Sequence, residues 1–125
     1  MKIIIFIALA GILGTLLRFG VVKGLESCSV NFPWATLAVN ITGAFIAGFA
    51  WVTLGKTMPE YRHCFPVLFI GFLGAFTTFS SFALESVRFL ADGAYGKFLL
   101  NILLQNLTGI GSCAAGFALA KLIFK

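Results

Sequence analysis

Four long stretches that are almost free of charged side chains restrict the fold of this chain more than any other feature. Apart from Arg18 in the first stretch, they contain no charge and cover residues 3–22, 33–54, 65–84 and 98–120. A helix needs about 20 mainly apolar residues to cross roughly 30 Å of hydrocarbon. Each stretch is long enough, so the sequence predicts an all-α integral membrane protein with four transmembrane helices.

We expect a single four-helix membrane domain over residues 1–125, because the segments between the stretches are too short to fold outside the membrane. Allowing the last two helices to extend past their uncharged parts, we place the helices at about residues 3–22, 33–54, 65–91 and 98–124. Any function must then lie within the helices or between copies of the chain.

The composition supports lipid as the solvent and excludes several classes of protein. The chain is 60% hydrophobic and 10% charged, whereas soluble domains are roughly 45–50% apolar and about 25% charged. Its basic residues are scattered, not clustered on one face as in nucleic-acid-binding proteins, so no nucleic-acid partner is expected. Three cysteines without a CxxC pair indicate neither a disulfide framework nor a zinc site.

Basic residues are divided almost evenly between the two ends of the predicted helices. The two sides hold, respectively, Lys2, Lys56, Arg62, Lys121 and Lys125, and Arg18, Lys23, Arg88 and Lys97. Orientation normally follows an excess of Lys and Arg on one side of the membrane. A chain without that excess can insert both ways, which would allow an antiparallel dual-topology dimer; a weak preference set by other factors is the alternative.

Polar and small residues share one face of the second predicted helix, at Thr36, Asn40, Gly43 and Ala47. The amide of Asn40 offers two N–H donors, which suit the replacement of water around an anion. Asn and Thr side chains also hydrogen-bond between packed helices. The spacing alone leaves both interpretations open, a pore lining and a contact between helices.

The fourth helix carries a longer stripe of the same kind. Its members follow one another at intervals of three or four residues and are Asn101, Gln105, Thr108, Ser112 and Gly116. Such a stripe on an apolar helix is typical of packing against a partner, and it could also form a polar track for a permeating species.

The third helix combines glycines, hydroxyl groups and regularly spaced phenylalanines. Gly71 and Gly74 precede Thr77, Thr78, Ser80 and Ser81, about halfway across the membrane. Backbone can be irregular at that depth only where protein or a cavity satisfies its polar groups. We therefore predict a break in this helix, where free carbonyls could hold a cation and hydroxyls an anion.

The phenylalanines of this helix recur every three or four residues, a pattern most often produced by packing or lipid contact. An aromatic ring nevertheless has a positive edge. Such an edge could favour an anion without trapping it, as conduction requires.

Three stretches of the sequence resemble the Fluc (CrcB) fluoride channels. They are GTLLR at residues 14–18, TLAVN at residues 36–40 with Gly43, and GFLGAFTTFSSF at residues 71–82 followed by Glu85. The resemblance covers the whole length of the chain, and the stretch around TTFS is its most specific part.

This resemblance implies an antiparallel, dual-topology homodimer with two fluoride pathways. It places Asn40, Phe79 and Phe82 along each pathway, where Thr36, Ser80 and Ser81 would add hydroxyl groups. The lipid bilayer and a second copy of the chain would be its partners.

The resemblance also implies an arginine near an aqueous vestibule, which corresponds to Arg18, and a structural sodium ion at the dimer centre. Backbone carbonyls at the helix break, which correspond to Gly74 and Thr77, would hold that ion. The fourth helix departs from many relatives, since Asn101, Gln105 and Ser112 follow a different pattern from their tyrosine and serine. No role is carried over to these residues.

The implied function is that of a passive channel, not an enzyme, that exports toxic fluoride from the cytoplasm across a bacterial inner membrane. The alternative is a small proton-coupled antiporter of the multidrug-resistance type. That mechanism needs a carboxylate buried in the membrane, usually in the first helix, and residues 1–17 contain none. A structural subunit without transport of its own is a second alternative.

Overall fold

The computed structural model of this chain describes residues 2–124, without the side chains of Lys56, Thr57 and Pro59. Met1 and Lys125, which close the predicted domain, lie outside the described residues. Within the described part, four helical spans are long and apolar enough to cross a membrane: Lys2–Gly24, Trp34–Gly55, Glu60–Ala91 and Tyr95–Ile123. The predicted all-α fold with four membrane-spanning helices is thereby confirmed.

The first, second and fourth spans contain α1 (Lys2–Gly24), α2 (Trp34–Val52) and α5 (Tyr95–Ile123). The third span is composite. It contains a π-helical segment (Pro66–Leu73), the single turn α3 (Gly74–Phe76) and, after a two-residue interruption, α4 (Phe79–Ala91).

Short helical turns lie between α2 and the π-helical segment, at Thr53–Thr57 and Pro59–Cys64. Pro66 stands in the first turn of the π-helical segment, where its missing N–H removes no helical hydrogen bond. The ring of Phe65 packs edge-on against Trp51 at 5.5 Å and stacks on Phe69 at 5.0 Å. This aromatic cluster fixes the start of the π-helical segment on the end of α2.

Helices α2 and α5 pack against each other through two glycines that allow their backbones to touch. A methyl group added at Gly48 would collide with the carbonyl of Cys113, and one added at Gly116 would collide with the carbonyl of Phe45. Small residues of this kind let helices approach closely in lipid, where burial of apolar surface gives little drive for association. The register between α2 and α5 is therefore fixed by contact between main chains.

Helix α1 packs in a similar way on the first half of the third span. Gly14 is the buried residue of α1, and a methyl group added at Gly71 would lie 2.7 Å from the carbonyl oxygen of Ile7. The rest of α1 carries large exposed apolar side chains, among them Ile4 and Phe19. That surface suits contact with lipid.

The chain turns from α4 into α5 at Gly93, whose φ of 69° lies in the left-handed region that glycine adopts without strain. The N–H of Gly93 donates to the carbonyl of Leu90, and the N–H of Ala94 donates to that of Phe89. These two bonds form a Schellman motif. After this turn, α5 runs back alongside α4 and also packs against α2. The polar faces of the three helices therefore meet.

The contact between α2 and α5 can be tested with two alanine substitutions on the same helix. We expect Gly116→Ala to destabilise the protein by about 1–3 kcal/mol, since the added methyl overpacks a backbone contact. Gly111→Ala adds its methyl where no atom lies within 4 Å, and it should be neutral or stabilising by up to about 1 kcal/mol. Unfolding of the purified variants in detergent measures both. Equal stability of the two would contradict the described packing.

Candidate functional site

The third span is interrupted at two consecutive residues in the middle of the protein. Thr77 (φ −81°, ψ 160°) and Thr78 (φ −147°, ψ 105°) have extended backbones between α3 and α4. Gly74 itself keeps a helical conformation (φ −61°, ψ −31°), so the break follows Gly74 by three residues. The N–H of Thr77 still donates to the carbonyl of Leu73 at 2.9 Å, and the helical hydrogen-bond ladder is interrupted from Thr78 onwards, at membrane depth.

The side chain of Asn40 supplies partners for this broken backbone. Its Oδ1 accepts a hydrogen bond from the N–H of Thr78 at 2.8 Å, and its Nδ2 donates to the carbonyl of Thr78 at 3.2 Å. The same Nδ2 donates to Oε1 of Gln105 at 3.0 Å. Both donors suggested by the sequence for an anion are therefore engaged within the protein in this conformation.

The hydroxyl groups near the break also have structural partners. Thr78 caps α4, because its Oγ1 accepts from the N–H of Ser81 at 3.1 Å and lies 2.9 Å from the Oγ of Ser81. Thr77 donates its hydroxyl to the carbonyl of Leu73 at 2.8 Å. Ser80 is exposed on the protomer surface, with its Oγ 3.3 Å from Oγ1 of Thr78.

These contacts leave the carbonyls of Gly74 and Thr77 without their helical donors. In a continuous helix, the N–H of Thr78 would donate to Gly74 and that of Ser81 to Thr77. The first donates to Asn40 and the second to the hydroxyl of Thr78. The end of a helix frees its last four carbonyls, so the two that the sequence suggests as cation ligands are among those that the break releases.

Polar side chains of α2, α4 and α5, together with Thr78 at the break, form three hydrogen-bonded groups between the break and one end of the helices. Thr36 donates to Oε1 of Glu85 at 2.5 Å, and Asn101 donates to Oγ of Ser86 at 3.0 Å. We refer to the set as the polar column, which consists of Thr36, Asn40, Thr78, Glu85, Ser86, Asn101 and Gln105.

The polar column is deeply buried, and part of it lacks hydrogen bonds. Asn101 is 0% exposed and Gln105 is 8% exposed. Among the described residues, three buried side-chain atoms have no partner: Oε2 of Glu85, Oδ1 of Asn101 and Nε2 of Gln105. Buried polar atoms are nearly always paired in folded proteins. Three unpaired atoms in one column therefore make it the candidate functional site.

A cavity of about 540 Å³ opens onto this column, between the ends of α1 and α4 and the starts of α2 and α5. Thr36 and Glu85 belong to both the cavity wall and the column. Arg88 and Lys97 also line the cavity. An ion that enters the cavity thus reaches the end of the polar column.

The remaining predicted residues lie around the break and the cavity. Phe79 and Phe82 pack edge to face, with their ring centres 5.5 Å apart and their planes at 68°. Phe82 is 9% exposed, whereas Phe79 is 77% exposed on the surface of the protomer. Arg18 is half-buried and lies one helical turn before Val22, which lines the cavity.

Sequence reasoning gave no role to Glu85 or Ser86 and left two interpretations open for Gln105, although all three belong to the column. A signal for Glu85 existed, because an ionisable residue within a membrane span is usually functional. The pairing of Gln105 with Asn40 joins residues 65 positions apart in the sequence. That pairing depends on the register between α2 and α5, which spacing within one helix does not reveal.

The fold and the buried column define a small multi-pass membrane protein of the channel or transporter class. Residues 5–117 match the family described as CrcB-like protein, Camphor Resistance (CrcB). The chain belongs to this family.

Relatives named fluoride-specific ion channel FluC are similar over nearly their whole length. One, from Desulforapulum autotrophicum, is 41% identical over 120 residues, which make up 95% of this chain and 96% of the relative. Another, from Solidesulfovibrio magneticus, is 42% identical over 94% of this chain and 95% of its own length. A third, from Parabacteroides distasonis, is 36% identical over 94% and 92%.

The role of Asn40 at the break can be tested by removing its hydrogen bonds. We expect Asn40→Leu to destabilise the protein by about 2–4 kcal/mol, since each buried group left without a partner costs about 1–3 kcal/mol. Asn106 is a matched control on α5, because it is exposed and its Nδ2 bonds only to the carbonyl of Ile102 in its own helix. Asn106→Leu should change stability by at most about 0.5 kcal/mol.

Unfolding of both variants in the same detergent gives the comparison. Similar stabilities for Asn40→Leu and Asn106→Leu would show that the break does not depend on the amide of Asn40.

Proposed function

We propose that this chain is a passive, fluoride-selective channel that lets the anion leave the cytoplasm across the bacterial cell membrane. The observation that carries this proposal is its similarity, at 36–42% identity, to relatives named fluoride-specific ion channel FluC over at least 92% of their length. The buried polar column that opens onto a cavity provides a physical route. The proton-coupled antiporter is not favoured, because these relatives are named as channels.

A passive path is sufficient for export. Fluoride enters cells as neutral HF from acidic surroundings and dissociates inside, where the anion is trapped. The membrane potential then drives the anion outwards with roughly 2.3 kcal/mol per 100 mV for each elementary charge. No energy source other than this potential is required, which agrees with a channel and not an enzyme.

The proposed pathway starts in the cavity at Thr36 and continues past Asn40 to the break. There it meets the hydroxyls of Ser80 and Ser81 and the rings of Phe79 and Phe82. Hydroxyl hydrogens and the positive edges of rings can each receive an anion weakly. Arg18 would add a positive charge near the cavity without entering the path. Weak contacts in series suit conduction, since an ion must be able to leave each one.

We further propose that the functional unit is an antiparallel homodimer with two pathways. The ring of Phe79 is 77% exposed, and the adjacent Ser80 is also exposed. A second copy packed on this surface would cover both and complete the aromatic part of the path. Copies in opposite orientations would be related by a two-fold axis in the membrane plane.

A sodium ion at the centre of this dimer is the proposed structural cofactor. The carbonyls of Gly74 and Thr77 fit it, because both have lost their helical donors to other partners. Oxygen ligands suit hard cations. The ion would supply a positive charge that offsets the facing carbonyl dipoles of the two copies.

Fluoride efflux from liposomes that contain only this purified protein tests the function. We expect efflux from the wild type, and we expect it to fall by about two- to tenfold in Phe79→Ala and Phe82→Ile, since an edge-on aromatic contact contributes about 0.5–1.5 kcal/mol. Phe69→Leu is the control, because Phe69 packs on Phe65 and Trp51. Absence of efflux from a folded wild type would refute the channel. Equal flux in all three variants would remove the rings from the path.

The antiparallel dimer predicts complementation between variants of fixed orientation. Two lysines added to the segment 55–64 should force one orientation, and two added to the segment 85–97 should force the other, because Lys and Arg near the membrane set topology. Each variant alone should be inactive, and co-expression of the two should restore efflux. Full activity of either variant alone, with its uniform orientation confirmed, would contradict the antiparallel dimer.

A further inference from the structure

A second cavity, of about 370 Å³, lies at the end of α2 that is remote from the first cavity. It is lined by Trp51, Gly55, Arg62 and Phe65, and we refer to it as the interfacial groove. The second membrane span ends at Gly55, and the third begins at Glu60. The groove therefore lies where both spans reach the membrane surface, well away from the polar column.

The wall of the groove is aromatic and faces outwards. The ring of Trp51 packs edge-on against Phe65 at 5.5 Å and against Phe69 at 6.2 Å, yet 54% of Trp51 is exposed. Tryptophan is enriched at the membrane–water interface, where its ring lies at the level of the lipid headgroups. A methyl group added at Gly55 would lie 3.5 Å from Cζ of Phe65. The groove is thus open because residue 55 has no side chain.

The groove carries one charge, which is positive. Arg62 is exposed in the helical turn Pro59–Cys64, and within the described residues its guanidinium forms no ion pair. The described residues that line the groove include no carboxylate. A guanidinium presents its N–H donors as a planar fork that matches the oxygens of a phosphate group. The groove is therefore complementary to a phosphate that is attached to an apolar group.

We propose that the interfacial groove binds an anionic phospholipid, whose phosphate is held by Arg62 and whose apolar part packs on Trp51 and Phe65. A free phosphate ion would gain nothing from the aromatic wall. A zwitterionic headgroup brings its own ammonium group, which competes with Arg62 for the phosphate. Phosphatidylglycerol has no such group and suits the groove best. This site does not depend on the proposed channel, and its test requires no transport.

The fluorescence of Trp51 gives a direct measure of lipid in the groove. Trp34, the other tryptophan of the sequence, lies at the opposite end of α2, so Trp34→Phe leaves Trp51 as the sole reporter. The purified variant is placed in vesicles of phosphatidylcholine and phosphatidylglycerol, with bromine on the acyl chains of one lipid or the other. Bromine quenches tryptophan on contact, so the two quenching curves give the relative affinity of the groove for the two lipids.

We expect phosphatidylglycerol to be preferred about fivefold, the factor that corresponds to about 1 kcal/mol for one basic residue at an anionic membrane. Equal affinity for the two lipids would overturn the proposal. So would the absence of quenching by either lipid, since this would show that another protein surface, such as a second copy of the chain, covers the groove.

Two variants separate a built site from diffuse attraction between basic residues and anionic lipid. Glu60→Gln combined with Arg62→Gln removes one charge of each sign from exposed residues of the same turn, so the net charge is unchanged. Gly55→Leu keeps Arg62 and fills the groove. We expect both to reduce the preference to less than about twofold. Diffuse attraction depends on net charge, and a preference retained in the double variant would overturn the proposal even if Gly55→Leu does not fold.

The control variant is Lys23→Gln, which removes a positive charge at the other end of the helices, where Lys23 is exposed and paired with Glu26. It should leave the fivefold preference at Trp51 unchanged, and loss of the preference in this variant would assign it to overall charge. Replacement of chloride by inorganic phosphate at constant ionic strength should also change nothing. Loss of the preference in that buffer would show that the groove binds the free anion and overturn the assignment to a lipid.

Discussion

A helix interrupted inside a membrane leaves peptide groups unpaired, and each unpaired group costs several kcal/mol in hydrocarbon. The rest of this structure depends on how that cost is removed at Thr78. One amide side chain, Asn40, accepts from the N–H of Thr78 and donates to its carbonyl. The amide thus pairs with both the N–H and the C=O of one residue, as a neighbouring β-strand does. An extended segment is thereby stable at a depth where lipid offers no substitute for hydrogen bonds.

This arrangement requires a fixed register between α2 and the third span, so that Asn40 stays level with Thr78. Helix α2 is held on α5 by the backbone contacts at Gly48 and Gly116, while α1 is held on the first half of the third span at Gly71. Asn40 and Thr78 bridge these two pairs of helices. The other glycine of α2, Gly43, leaves room for the side chain of Thr77 at the break. Close packing outside the polar column thus determines the geometry inside it.

The sequence was sufficient to predict the membrane spans and the region of the break, because both depend on local composition. Uncharged stretches of about 20 residues define spans, and glycines beside hydroxyls favour irregular backbone. It was not sufficient to locate the break at Thr77 and Thr78, where the capping hydroxyl and Asn40 decide the outcome. Nor could it show that both donors of Asn40 are occupied, since the partner Gln105 lies on a helix whose register is set by tertiary packing.

Both N–H bonds of Asn40 are used within the protein. The column would therefore select an anion without donation from this amide. A strong site with many free donors would hold fluoride and slow its release, whereas conduction needs sites that are easily left. Here the amide of Asn40 serves the protein, and the unpaired Nε2 of Gln105 remains beside it. The guanidinium of Arg18 belongs to α1, outside the three helices that form the column. Hydroxyl groups and aromatic edges along the proposed path would offer the anion contacts of similar, moderate strength. In such a series the membrane potential, and not the depth of any one site, sets the direction of flow.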